Sequence, residues 1–158
     1  MQLADTILLR GSLEIALHNA YNGEVVEKQI IENTIVTAGR AWILKHIVGT
    51  AVFAGNETAP VSYMAVGTSA TAPATSDSAL GSETTRKTIQ NFTTSNLTSN
   101  PPSYQFECSY ATNEGNTTLA EVGLLNSSAA GTMLARATYG TINKTTSNTL
   151  SISYTISG

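Results

Sequence analysis

The stretch Leu150-Ser151-Ile152-Ser153-Tyr154-Thr155-Ile156 decides the fold class. Large apolar side chains fall at every second residue, with hydroxylated ones between them. Only an extended strand turns that period into two distinct faces. One face is then apolar and directed at a core, and the other is lined with hydroxyls. Tyr104-Gln105-Phe106-Glu107-Cys108-Ser109-Tyr110 repeats the pattern. The alternation predicts both segments as core strands, with Phe106, Cys108, Ile152 and Tyr154 inward.

The rest of the chain extends this reading. Leu13, Ile15 and Leu17 alternate with Glu14, Ala16 and His18, and Asn22-Gly23 supplies a turn because both residues tolerate positive φ. The chain returns through Val25-Val26 and Ile30-Ile31 to Ile35-Val36. These doublets break strict alternation, so a bulge or a change of sheet is expected near Lys28. A helix follows over about 38–48. Thr37 suits its N-cap, Lys45 and His46 lie where the dipole favours positive charge, and Gly49 is a natural stop. Its broad apolar surface is expected to pack on a sheet. Further strands are expected over 61–66, 84–94, 119–125 and 133–139, with a long ordered loop over 67–82 and a polar turn over 95–103. The fold expected is mainly β: one antiparallel, jelly-roll-like β-sandwich domain over 1–158, with about eight strands. It opens with an N-terminal hairpin over about 6–36.

Composition excludes several kinds of function. At 158 residues the chain has the size of one domain, with 41% hydrophobic residues and only 12% charged ones. Moderate hydrophobicity with little charge is unlike a disordered chain. A net charge of −3 and scattered basic residues argue against nucleic-acid binding, which needs a basic patch. A single cysteine, Cys108, excludes an internal disulfide. Asp5 and Arg10 interrupt the opening apolar residues, so no signal peptide is expected, and no apolar run is long enough for a membrane helix. The sequons at Asn56, Asn91, Asn96, Asn116, Asn126 and Asn143 are read as products of a Ser- and Thr-rich composition.

The search for chemistry yields little. His18 is expected on a solvent face and His46 at a helix end, and no ligand pair has zinc spacing. Nucleophile-elbow, phosphate-loop and dinucleotide fingerprints are missing. Among the acids, Glu107 belongs to the outward phase of its strand. Glu121, the one acid in an apolar run, either faces solvent or is buried with a basic partner such as Arg136; a structural ion pair is the preferred reading. Cys108 shares a face with Phe106 and Tyr110 and reads as a small core hydrophobe. No catalytic, cofactor-binding or metal-binding residues are assigned, no cofactor is expected, and the binding interface is not specified. The Ser- and Thr-rich strand faces point instead to structure or binding.

Two stretches carry a resemblance. The first is Val61-Ser62-Tyr63-Met64-Ala65-Val66-Gly67-Thr68, followed by Ala72-Pro73, Asp77-Ser78-Ala79-Leu80, Glu83 and Arg86. It resembles a signature of tailed-bacteriophage virion proteins, a Y-x-A-L/V-G-T-G strand followed by an A-P…D-T-A-L…E…R loop. The second stretch comprises Leu119-Ala120-Glu121-Val122-Gly123-Leu124-Leu125, then Gly131-Thr132-Met133-Leu134-Ala135-Arg136, then Ile142-Asn143-Lys144 leading to residue 156. It is similar to the T-E-V/A-G-L-F…G-T-M-L-A-R…I-N-K tail of the same proteins. Ser69, Ala120, Leu125 and Tyr154 depart from the pattern where Gly, Thr, Phe and Trp are common.

The resemblance implies a structural, non-enzymatic protein of a phage particle. It would be a capsid decoration or cement protein on the outer surface of the head, made in the host cytoplasm. Its partners would be the major capsid protein and further copies of itself, without nucleic acid or membrane. A tail or fibre component binding host glycan or a tail partner is the alternative. Within the matching stretches, Asp77 is expected to anchor the long loop, and Glu83, Glu121, Arg86 and Arg136 to form a buried or half-buried charge set that positions it.

Overall fold

The computed structural model describes residues 9–48, 59–93 and 102–158. Its elements run β1 (Arg10–Asn19), β2 (Val25–Glu32), β3 (Thr34–Ile35), α1 (Thr37–Val48), β4 (Tyr63–Gly67), β5 (Glu83–Thr88), β6 (Asn91–Thr93), β7 (Ser103–Tyr110), β8 (Thr118–Leu125), β9 (Met133–Asn143) and β10 (Asn148–Ser157). They form two antiparallel sheets of five strands, β2-β1-β10-β7-β6 (sheet A) and β3-β9-β8-β4-β5 (sheet B). The mainly β sandwich expected from the alternation is the fold. The expected helix stop at Gly49, the opening residues 1–8 and the polar turn up to residue 101 lie outside the described residues.

β10 occupies the centre of sheet A. Tyr154 lies between Leu13 and Phe106, and Ile152 between Ile15 and Cys108. All six side chains are buried, as the period-2 pattern requires. Met64, Val66, Val122, Leu124, Ala135 and Ala137 of sheet B meet them in one core. Each fully buried Leu or Ile there contributes roughly 1.5–3 kcal/mol.

The described residues hold ten strands, more than the alternation suggested, because two expected strands each change sheet midway. The N–H of Asn33 still donates to Gly11 in sheet A (3.0 Å), yet Thr34 and Ile35 pair with β9 in sheet B. The irregularity nearer Lys28 is a separate bulge between Leu17 and His18. Similarly, β5 belongs to sheet B and β6 to sheet A, with buried Ile89 at the corner donating its N–H to Ser62 (2.8 Å). A chain turning such a corner stays extended, so its composition carries no break.

α1 begins one step differently from expectation. Arg40 N–H donates to the Val36 carbonyl (3.0 Å), so Val36 holds the N-cap position and Thr37 is already helical. The Thr37 N–H instead donates to the Thr75 carbonyl of the following loop (2.7 Å). β3 leads almost directly into the helix, and a backbone carbonyl from another segment satisfies the first of the helix's free N–H groups. The helix packs on sheet B as expected. A Cβ at Gly39 would strike the Leu134 carbonyl, so only glycine allows this approach to β9. Trp42 and Ile43 reach the main core, and the Trp42 indole N–H donates to Ala59 (3.0 Å). Leu44 stays exposed.

Candidate functional site

Several of the sequence's charged residues converge on the outer face of sheet B. Alternation turns Gly67 of β4, Glu121 and Gly123 of β8, and Arg136 of β9 away from the core, and the register sets Gly67 beside Glu121 and Gly123 beside Arg136. Glycines in this row leave room above the sheet. Residues 68–82 fill it, and Leu80 packs with Val36, Ala65, Leu125 and Met133 in a second apolar cluster. A buried face thus lies beneath a loop with no strand or helix of its own.

Two charged side chains hold that loop. Glu121, fully buried, accepts from the backbone N–H groups of Ser82 (2.7 Å), Gly81 (2.9 Å) and Ser69 (3.3 Å), and from the Arg136 Nε–H (2.9 Å). Arg136, 3% exposed, also donates through Nη1 to Asp77 (2.7 Å) and through Nη2 to the Thr71 carbonyl (3.1 Å). Asp77 in turn accepts from the Ala74 N–H (2.9 Å). That backbone bond, followed by the Arg136 hydrogen bond, holds the Asp77 carboxyl below its ordinary pKa. Burial pulls the Arg136 pKa down, but the hydrogen bonds to Asp77 and Glu121 outweigh it and leave it raised. Every charge is matched by a partner, which is the condition for burying ions without a large net cost.

The expected charge set is therefore two units. Glu121 and Arg136 form the buried pair, with Asp77 as the loop's anchor. Arg86 and Glu83 form a separate fork on β5 (2.6 Å), and Arg86 Nη1 donates to the Ser127 and Ala130 carbonyls (both 2.8 Å), clamping the β8–β9 turn. A third polar knot escaped the sequence reading. Lys144, 1% exposed, donates to the Ala111 carbonyl (2.6 Å) and to Asn116 Oδ1 (3.0 Å). Burial lowers its pKa, with the charge of Glu114 opposing the shift. Glu114 accepts from Lys87 (2.6 Å) and from the Ala111 N–H (2.8 Å), and these bonds depress its pKa in that order. These residues are far apart in sequence and follow no shared period, so only the folded β7–β8 connection brings them together.

The remaining candidates lie apart. The His18 ring hydrogen-bonds the Ser151 hydroxyl (2.8 Å) across the β1–β10 pair, and its face is partly covered. His46 is exposed, with its ring 3.9 Å from that of Trp42 and Nδ1 2.9 Å from the Trp42 carbonyl. Glu107 lies on the outer face of sheet A, opposite Asn91 and Ser153. Cys108 is 2% exposed, and burial pushes its thiol up to about 11, the opposite of activation. Among the described residues, no three His, Cys, Asp or Glu side chains are grouped so as to hold a metal ion. No described helix is long and apolar enough to cross a membrane.

What faces outward from sheet A is rich in hydroxyls, with the charged Glu14, Lys28, Glu32 and Glu107 set among them. Ser151, Ser153 and Thr155 of β10 run down its centre, flanked by Ala16, Glu14 and Ser12 of β1 and by Ser109, Glu107 and Gln105 of β7. Comparison with protein-family models, with curated proteins and with solved structures gave no match.

Proposed function

We propose that this chain is a structural protein of a phage particle, a decoration or cement protein that binds and stabilises the assembled head. The observation that carries the reading is where the virion-like motifs fall. Gly67, Asp77, Glu121, Met133 and Arg136 come from separate stretches of chain, yet they meet on the outer face of sheet B and fix one loop there. Motif residues used to shape a surface suit a protein that works by binding, and the three charged ones have their polar atoms committed to one another and to backbone. The hydroxyl-rich centre of the outer face of sheet A, along Ser151, Ser153 and Thr155, suits a large interface of many weak hydrogen bonds.

Such a protein needs no turnover. Binding the assembled shell better than its separated subunits stabilises the shell by mass action. With few charges at the contact, added salt should weaken attachment little, since screening acts mainly on exposed ions. The test compares particles with and without the protein for heat or osmotic rupture at low and high salt. Earlier rupture of bare heads, at either salt level, supports the reading. Equal rupture, or release of the protein by moderate salt, overturns it. The rival reading, a tail or fibre component binding glycan, draws on the half-exposed Phe92 ring, which lies tilted against Tyr104 (6.0 Å). A low copy number in the particle together with retention on a glycan array would favour it.

A further inference from the structure

We infer that β2 is a self-complementary edge through which two copies of this chain pair antiparallel about a two-fold axis, joining two A sheets into one. β2 ends sheet A and has a neighbour only in β1. Its outward side chains are Val26 at 59% exposure and Ile30 at 71%, with Lys28 and Glu32 on either side of Ile30, so the charges that normally guard an open edge lie beside an exposed apolar residue.

The backbone phase determines which residues can pair. Asn33 N–H donates to Gly11, the residue directly opposite it, so this is a hydrogen-bonded pair. Counting back in steps of two, Ile31, Gln29 and Glu27 also turn their N–H and C=O groups toward β1. Glu32, Ile30 and Lys28 therefore turn theirs to the open edge. The side chains of these same three residues lie on the exposed face, opposite Ser12, Glu14 and Ala16 of β1.

The side chains then select one register. Centring the pair on Ile30 places Ile30 against Ile30 of the second copy, and Lys28 against Glu32 on both sides of it. An apolar centre is flanked by two opposite-charge pairs, all at positions whose backbones face one another, and each Lys28, already 2.9 Å from Glu14 of its own chain, would then lie between two carboxylates. Centring on Lys28 would set two like charges opposite each other. Shifting the axis to Gln29 would set Lys28 against Ile30, and shifting it to Ile31 would set Ile30 against Glu32. The second copy is thus favoured over an unrelated strand, because the charge order of β2 read backwards complements itself. This pairing does not depend on the particle reading: it would hold for a tail component as well, and its failure would leave cement activity untouched.

Sedimentation velocity on the purified chain over a micromolar concentration series provides the test. The expected species is a dimer, and Ile30→Lys, which opposes two ammonium groups at the axis, should weaken it by roughly tenfold or more. Ile30 is exposed, so an unchanged far-ultraviolet circular dichroism spectrum should show that the variant folds. Ile30→Cys provides an independent readout: hydrogen-bonded partners sit about 5.5 Å apart at Cα, within disulfide range, so mild oxidation should cross-link it. Lys28→Cys, whose partner is residue 32, should cross-link far more slowly. A monomer throughout, a closed trimer or larger ring, a dimer insensitive to Ile30→Lys, or equal cross-linking at 28 and 30 would each overturn the inference.

Discussion

Glu121 accepts four hydrogen bonds from donors that cannot turn away, three of them backbone N–H groups and one a guanidinium. A carboxylate offers acceptor sites on both oxygens, whereas an amide replaces one oxygen with a donor. Glu121→Gln should therefore press an NH2 group against an N–H and leave Arg136 with Asp77 as its remaining charged partner. Breaking a buried pair in this way costs about 3–5 kcal/mol. The expected result is a matching loss in denaturant unfolding, with faster hydrogen exchange at Gly81 and Ser82. Stability within about 0.5 kcal/mol of the parent would show that the cluster is incidental to the fold. An acid alone in an apolar run was legible as one half of an ion pair, and so was its partner Arg136. The sequence did not show that the pair's other contacts are loop amides, because backbone donors leave no trace in residue type.

Among the elements, α1 shows where local preference and packing disagree. In an isolated helix, Gly39→Ala would stabilise by about 1 kcal/mol. Here the added methyl meets the Leu134 backbone, which cannot swing aside as a flexible side chain would. The substitution should instead destabilise by about 1–3 kcal/mol. The fluorescence of Trp42, the chain's one tryptophan, should report the displaced helix. A gain in melting temperature would contradict the close approach. The clean alternations of β7 and β10 gave their faces correctly, and the helix was visible from its spacing. The corners at Asn33 and Ile89 were not, because a strand that changes sheet keeps its extended backbone and exchanges only its partners. Nor did Thr37 act as the cap its residue type suggests, since the helix starts one residue earlier, with the Val36 carbonyl taking the Arg40 N–H.

For the whole molecule, the depressed carboxyls set the response to acid. Asp77 and Glu114 have folded-state pKa values below their ordinary values of 3.8 and 4.5, so the unfolded chain binds more protons as pH falls through that range. Their contribution to stability is complete above the ordinary values and is lost on acidification through the folded ones. The melting temperature should stay flat from neutrality to about pH 5 and fall steeply below about pH 4. Asp77→Asn with Glu114→Gln should shrink that fall; an equal fall in the double variant would assign it to other acids. The position of β10 has a further consequence for synthesis. It is the last described strand to leave the ribosome, yet it lies between β1 and β7, and the bond from Asn148 to His18 spans 130 residues of chain. Until it arrives, the β1–β2 hairpin and the β6–β7 pair lack the strand that joins them, and sheet A is two unconnected halves. Folding is therefore delayed until nearly all of the described chain has been translated, and such long-range closure belongs to the slow regime of roughly milliseconds to seconds. During that wait the growing chain is most open to aggregation and most in need of a chaperone.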